Sequence, residues 1–401
     1  MNEMNVQAEP RSLGPYCGAC WFPSSKPKFE LSAVGLCRAC ESEVKRPSLS
    51  SDTWNALEEQ FSELIRKAVE LETPNFDVLV PVSGGKDSIT QVVRANQHGA
   101  RILAVSVDYG VKTKVGRHNL DCVPNVGNNV HLQTYRPPLG LHRRLILDGL
   151  FTYGDPDFYS HTLLHAYPLH QALALNIPLV VLGENSAAQY GGTAELAQLS
   201  GMTRDWFESY AVSGDRSVFE AAERLGIERP SLRFYDFPDS LESSHTKTVF
   251  MSSYFPWDSE THLQIALENG FKSLTEAREG TFRNYVGIDE HINRIHQYLK
   301  LLKFGYGRTT DHVCEEIRVG RITRLEGKSL ISEYELRPPS IEVMTEVANF
   351  LQISISSLAE IMDSYRNLDL WIYAEDDSYV LPGFLLEDAS PPVKSLRSLF
   401  P

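Results

Sequence analysis

From Asp52 onward, Trp54, Leu57, Phe61, Leu64, Ile65 and Ala68 recur at helical spacing, which predicts an amphipathic helix with Asp52 as N-cap and Pro74 beyond its end. That helix leads into the next domain and is expected to pack on its sheet. From Phe76 the pattern changes to short apolar runs: Phe76 to Val82, Ile102 to Val107, Val130 to Tyr135, and Leu179 to Leu182. Continuous apolar runs alternating with helical segments predict an α/β domain with a parallel sheet covered on both faces. Between the first two runs Ile89, Val92 and Val93 form a helical stripe and Gly99 supplies a stop, making one βαβ unit. The stretch from about Tyr190 to Gly280 is loop-rich and aromatic and predicts no definite elements. Further on, Ile341, Met344, Ala348 and Leu351 form another helical stripe, and Ser357 with Glu360 reads as a capping box opening the next helix. The expected organisation is a polar tail over 1–16, a cysteine module over 17–45, a helical linker over 46–75, an α/β domain over 76–330 and a small helical appendix over 331–401.

The chain has 401 residues, 42% apolar and 22% charged, so it can own a core and is not disordered as a whole. Its 38 Lys+Arg against 52 Asp+Glu leave a formal charge of −14. An acidic balance repels nucleic acid and anionic membrane except at a local basic patch. No apolar run approaches the ~18 to 20 residues that span a bilayer, and Met1 to Gly14 has no stretch of signal-peptide type, so the expected location is the cytoplasm.

In a reducing compartment, six sparse cysteines are metal ligands or buried thiols, not a disulfide scaffold. Four of them form Cys17-x2-Cys20-x16-Cys37-x2-Cys40, two knuckles that present four thiolates to Zn²⁺. With all four positions filled, no coordination site remains for an activated water, so the zinc is expected to be structural. The segment is also too small and turn-rich to own a core, so the metal must hold it.

Directly between the first strand and the first helix lies Ser83-Gly84-Gly85-Lys86-Asp87-Ser88. The glycines let the backbone turn tightly against an anion, the helix N-terminus points its N–H groups at it, and Ser83, Ser88 and Lys86 add donors and charge. This reads as a phosphate cradle. It is not a Walker A loop, because Val80 and Asp87 stand where that loop needs Gly and Ser or Thr. The string resembles instead the loop of the pyrophosphate-loop ATPases, the adenine-nucleotide alpha-hydrolase superfamily, whose members split ATP between the α- and β-phosphates. The resemblance implies a parallel sheet of that HUP-like, Rossmann-like type.

Two other strand ends fit the same edge, where open parallel sheets bind ligands. Asp108 closes the second run and could face ribose or metal. Gly183-Glu184-Asn185 closes a later one, where Glu184 beside Asp87 could complete an Mg²⁺ site of hard oxygens. Further on, Lys303 and Arg308 lie in a glycine-punctuated segment that could clamp phosphates, and Tyr190 and Trp257 are candidate substrate contacts. Aromatics beside Pro256 more often pin a loop to the core. The Arg318, Arg321 and Arg324 run reads as a charged helix face, and His161 with His165 lacks the Glu of a zinc-helix pattern.

Several longer strings resemble, in order, the N-acetyl sugar amidotransferases. They are Val115-Gly116-Arg117 with Asn119-Leu120, Gly154-Asp155-Pro156, Gly183-Glu184-Asn185 through Tyr190-Gly191-Gly192, and Tyr254-Phe255-Pro256-Trp257-Asp258. The last is Tyr298-Leu299-Lys300 with Lys303-Phe304-Gly305-Tyr306-Gly307-Arg308 and Asp311. Thr113, His118 and Ser252-Ser253 depart from the family pattern. The resemblance implies an ATP- and Mg²⁺-dependent, AMP-forming amidotransferase acting on a nucleotide-activated N-acetyl sugar. Lys86, Asp87, Glu184 and Arg308 would be its catalytic residues, and Ser83 to Ser88, Asp108 and Gly183 to Asn185 its nucleotide contacts.

Ammonia is not expected to be made by this chain. Position 2 is Asn2, and neither Cys122 nor Cys314 lies in a nucleophile elbow. The resemblance implies a separate glutaminase with a barrel-type ammonia-channel partner of the imidazole-glycerol-phosphate-synthase kind. One alternative is a tRNA-thiolating enzyme of the same superfamily, disfavoured by the net charge and by the lack of a cysteine pair after the loop. The other is a nonenzymatic zinc-ribbon scaffold with a vestigial ATP site, against which the intact Lys86, Asp87 and Ser88 speak.

Overall fold

The computed structural model describes residues 13–45, 49–190, 193–212 and 216–401. Its chain forms two compact units, one of residues 44–277 with 283–293, the other of 1–43, 278–282 and 294–401. The division cuts through the segment 76–330 that the sequence pattern reads as one domain. It groups the cysteine module with residues 294–401, because side chains of that module pack on the later helices.

The first unit is built on a five-stranded, wholly parallel sheet in the order β3-β2-β1-β4-β5. The strands are β1 (Val78–Pro81), β2 (Ile102–Val107), β3 (Val130–Tyr135), β4 (Leu179–Leu182) and β5 (Lys247–Phe250). The first four occupy the apolar runs seen in the sequence; β5 lies in the stretch where no element was predicted. Alternation along each strand splits the buried side chains between two faces. Leu79, Leu103, Val105, Val180 and Leu182 pack with Phe158, Tyr159, Leu163, Trp206 and Phe207. Val78, Val80, Ile102, Ala104 and Val181 pack on the other face with Phe61, Ile65, Ile89, Val92 and Ala266.

Phe61 and Ile65 come from the helix Ser51–Glu70, which packs on the sheet as its apolar stripe predicts. Burial of each such side chain is worth about 1.5–3 kcal/mol. The cap of that helix is Ser50, whose side chain accepts from the Thr53 N–H, and Asp52 lies in its first turn. The helix after β1 runs Lys86–Ala95 and ends at Asn96, one short turn before Gly99. Because β1 sends its chain to β2 on one side while β4 lies on the other, the carboxyl ends of β1 and β4 flank a topological switch point.

In the second unit, the helices Arg308–Arg318 and Arg324–Tyr334 pack together, and the cysteine module is fastened to them. The Trp21 indole N–H donates to the Arg324 carbonyl at 2.8 Å, and the Arg324 guanidinium lies 4.1 Å from the Trp21 ring centre. Ser25 Oγ donates to the Phe304 carbonyl at 2.6 Å. The helices Ile341–Leu351 and Ile355–Ser364 match the later apolar stripes, but the second is capped by Ser354, with Ser357 inside it. The C-terminal region is not wholly helical. It also holds a three-stranded antiparallel sheet of β6 (Ile372–Tyr373), β7 (Ser378–Val380) and β8 (Val393–Lys394). No helix among the described residues is long and apolar enough to cross a membrane.

Candidate functional site

The loop that leaves β1 turns on Gly84, whose φ of +90° is open to glycine at little cost. A Cβ on Gly84 would stand 2.8 Å from the Leu120 backbone nitrogen and 3.1 Å from the Gly116 oxygen, so the turn is also pressed against the helix Lys114–Asp121. Gly116 is pinned in the same way, since a Cβ there would lie 2.2 Å from the Asp289 oxygen. Thr113 caps that helix by accepting from the Gly116 N–H at 2.9 Å. Two short bonds hold the loop itself: Gly85 N–H donates to Ser83 Oγ at 3.2 Å, and Ser88 Oγ donates to the Gly85 carbonyl at 2.9 Å. Lys112 Nζ donates to the Ser83 carbonyl at 3.2 Å, tying the segment after β2 to the loop.

Lys86 opens the helix and is buried, with its ammonium 2.7 and 2.8 Å from the two Asp87 oxygens. His262 Nδ1 is 2.7 Å from Asp87 Oδ1. Burial works against ionisation of the Asp87 carboxyl, but Lys86 and His262 outweigh it and hold the group well below the usual carboxylate range. The loop therefore carries an ionised carboxylate, an ammonium and a helix N-terminus in one place, a set of groups fitted to a polyphosphate and a hard cation.

At the neighbouring strand ends the candidates divide. Asp108 is buried, pairs with Arg136 and accepts from the Gly110 N–H at 2.9 Å. Burial again opposes its ionisation, and Arg136 with the Gly110 amide overcomes it. Gly183 at the end of β4 lies so close to Gln91 and Trp257 that a Cβ would meet them at 3.0 and 3.2 Å. Trp257, half-buried, is thus brought to the same edge as the loop, while nearby Tyr254 meets the Phe61 ring at a tilt and Phe255 meets it edge-on, pinning the segment to the core. Glu184, next in the chain after Gly183, is half-buried.

Asn185 is spent within the chain. Its amide donates to the carbonyls of Leu196 and Leu199 at 2.8 and 3.2 Å, and its oxygen accepts from Trp206 Nε1 at 2.9 Å. Its own N–H donates to Ser252 Oγ at 3.0 Å. Asn185 thus shapes the loop around Glu184 through contacts of its own. Tyr190 ends the short helix Ser186–Tyr190, and its side chain, like Gly191 and Gly192, lies outside the described residues.

Lys303 and Arg308 belong to the other compact unit. Arg308 opens the helix Arg308–Arg318 and lies 3.7 Å from Asp311, which also pairs with Lys300. In the same unit the ligand atoms of Cys17, Cys20, Cys37 and Cys40 lie within 4.8 Å of one another, and all four residues are buried. Cys20 and Cys37 sulfurs are 3.8 Å apart, which is about the edge of a tetrahedron with ~2.3 Å zinc–sulfur bonds. The four cysteines fit a structural zinc ion. The arginine run is not simply a solvated face: Arg318 lies 5.9 Å from the Phe22 ring centre, Arg324 stacks on Trp21, and Arg321 pairs with Glu316.

His262 is the residue that motif reading passes over. It stands in the first turn of the helix Ser259–Glu268, four places after its cap Asp258, and only the packing of that helix on Lys86–Ala95 brings it to the loop. His161 and His165 set their Nδ1 atoms on backbone carbonyls, of Ala211 and of His161.

No curated protein matches the chain. Residues 279–381 match the family model described as LPS biosynthesis protein WbpG-like, C-terminal domain, and this similarity fits a role in LPS-related sugar biosynthesis.

Proposed function

We propose that the chain is a cytoplasmic, ATP-dependent amidotransferase that replaces the acetamido oxygen of a nucleotide-activated N-acetyl sugar with ammonia-derived nitrogen. The observation that carries this reading is the donor-rich turn Ser83–Ser88 between β1 and its helix, with Lys86 and Asp87 paired at its base. An amide oxygen is a poor leaving group. Attack of that oxygen on the α-phosphorus of ATP breaks the α–β phosphoanhydride, releases pyrophosphate and leaves an O-adenylyl imidate. Ammonia then adds to the imidate carbon, the carbon–oxygen bond breaks, and AMP departs as the amidine forms. The loop's N–H groups and Lys86 would hold the departing pyrophosphate, where negative charge develops.

Asp87 and Glu184 would hold the Mg²⁺; when bound, such an ion neutralises phosphate oxygens. Ser83, Gly84, Gly85 and Ser88 would line the phosphates. Asp108, with Gly183 and the loop shaped by Asn185, would border the nucleoside. Trp257 and Tyr190 are assigned to the sugar side. Ammonia would come from a separate glutaminase through a barrel-type channel partner. No nucleophile of the enzyme is required.

Incubation with MgATP, ammonium and UDP- or CMP-linked N-acetyl sugars is expected to yield AMP and a product one mass unit lighter. Release of ADP in place of AMP would remove the assignment. Gly84→Ala tests the turn itself, since the three atoms nearest its Cβ are all backbone and its φ is unfavourable. Expected are a stability loss of about 1–2 kcal/mol and MgATP binding weakened at least about tenfold. Thermal melts and calorimetric titration measure the two, and unaltered affinity would contradict the loop's role.

A further inference from the structure

We infer that His262 is a positioning residue of the phosphate loop, holding Asp87 in place through its Nδ1–H while Lys86 leaves that carboxylate for the phosphates of the bound nucleotide. The inference rests on the nucleotide-binding part of the proposed function and adds to it a residue outside the loop motif.

The geometry presents a conflict that His262 resolves. Lys86 spends its ammonium on both oxygens of its own neighbour, at 2.7 and 2.8 Å. An ammonium so engaged is half-neutralised and turned away from an incoming anion, so binding of a polyphosphate must draw it off. Asp87 then loses its nearest cation. His262 is the group that stays: its Nδ1 is 2.7 Å from Oδ1, and a carboxylate partner requires the proton to sit on that nitrogen.

The imidazole cannot follow the lysine. Its side chain is 3% exposed, and the Trp257 ring meets it edge-on with centres 4.5 Å apart and planes at 86°. Its backbone is held as well. Thr90 Oγ1, from the loop's own helix, donates to the His262 carbonyl at 3.2 Å. Asp258 caps the helix of His262 by accepting from the Thr261 N–H and Oγ1, both at 2.8 Å. The same segment thus supplies Trp257 to the edge beside Gly183 and His262 to the loop. This is the arrangement by which outer partners orient a carboxylate ligand.

Three variants of the full chain separate positioning from packing. His262→Asn keeps a side-chain N–H donor near the Nδ1 position; His262→Phe keeps the ring volume and lacks the donor; His262→Ala lacks both. Calorimetric titration with MgATP is the primary measurement because it needs no turnover. Expected is a dissociation constant raised about tenfold or more in His262→Phe and His262→Ala, and within about threefold of the parent in His262→Asn. Long-range ¹⁵N–¹H spectra of the parent should show His262 protonated at Nδ1, with a shift in Asp87→Asn. Equal affinity across all variants overturns the inference, as does an asparagine variant no better than phenylalanine. A parent chain that binds MgATP but forms no AMP rejects the amidation reading and leaves this inference to the binding result. A parent that binds no MgATP overturns both.

Discussion

Asp87→Asn is expected to lower the rate of AMP formation by at least about a thousandfold while leaving the fold intact. In the parent, the carboxylate neutralises Lys86, accepts from His262 and, under the proposed function, offers a hard oxygen to Mg²⁺. Asparagine occupies the same volume and keeps one acceptor for His262, but it cannot balance the ammonium or bind the cation well. A thousandfold loss corresponds to about 4 kcal/mol of barrier, which is within reach of a single charged group acting on a developing pyrophosphate. Asp87→Ala should lose at least as much activity and should also melt earlier, because alanine takes from the buried Lys86 ammonium and from His262 Nδ1 the side-chain acceptor that asparagine keeps. Comparing the two separates chemistry from folding: AMP is followed chromatographically and unfolding by circular dichroism. An asparagine variant within tenfold of the parent rate would remove Asp87 from the catalytic set.

What made the loop legible was its locality. The apolar run ending at Val82, the glycine pair and the helical stripe from Ile89 all lie within a few residues, and each states its conformation without outside help. The four cysteines were legible for a similar reason, because two close pairs leave little besides a common metal to explain them. What escaped was made by distant contacts or by very short elements. β5 has four residues and opens with Lys247 and Thr248, so its pairing with β4 leaves no periodic signal in the sequence. β6, β7 and β8 are two or three residues long, below the length at which alternation can be read. His262 reaches Asp87 only through the packing of two helices.

Cap positions were misplaced where several polar residues compete. Ser50 and Asp52 are both good caps, as are Ser354 and Ser357, and backbone geometry chose the earlier one each time. Asn185 illustrates a different limit. Its place at the end of β4 suggested a ligand contact, yet its side chain is filled by Leu196, Leu199 and Trp206. Some residues of the strings on which the resemblance rests serve architecture: Gly116 is required by the approach of Asp289, and Asn119 by its paired bonds to the Lys272 backbone.

Cys37→Ser is expected to release zinc and to destabilise much more than the cysteine module itself. Four buried sulfurs are the only plausible centre of residues 17–40, which otherwise hold little beyond Trp21 and Phe22 as large apolar cover. Structural zinc binding is worth about 10–16 kcal/mol in peptides that have no other core. Here the module also leans on helices that retain their own packing, so a loss of about 5 kcal/mol is the more fitting scale, and in a unit of this size it lowers the melting temperature by ~10–20 °C. The damage should travel along identified contacts. Trp21 donates to the Arg324 carbonyl and stacks under its guanidinium, and Arg324 Nη2 donates back to the Cys17 carbonyl at 3.2 Å. Burial tends to draw the proton from Arg318, but the nearby sulfurs of Cys314, Cys20 and Cys40 outweigh it and raise its pKa. Metal analysis of the parent should give one zinc per chain and the variant close to none. Hydrogen exchange should then lose protection over Arg308–Arg318 and Arg324–Tyr334 while β1 to β4 keep theirs. A variant that retains stoichiometric zinc would contradict the four-cysteine site, and loss of zinc with unchanged protection of those two helices would show that the metal holds only its own loop.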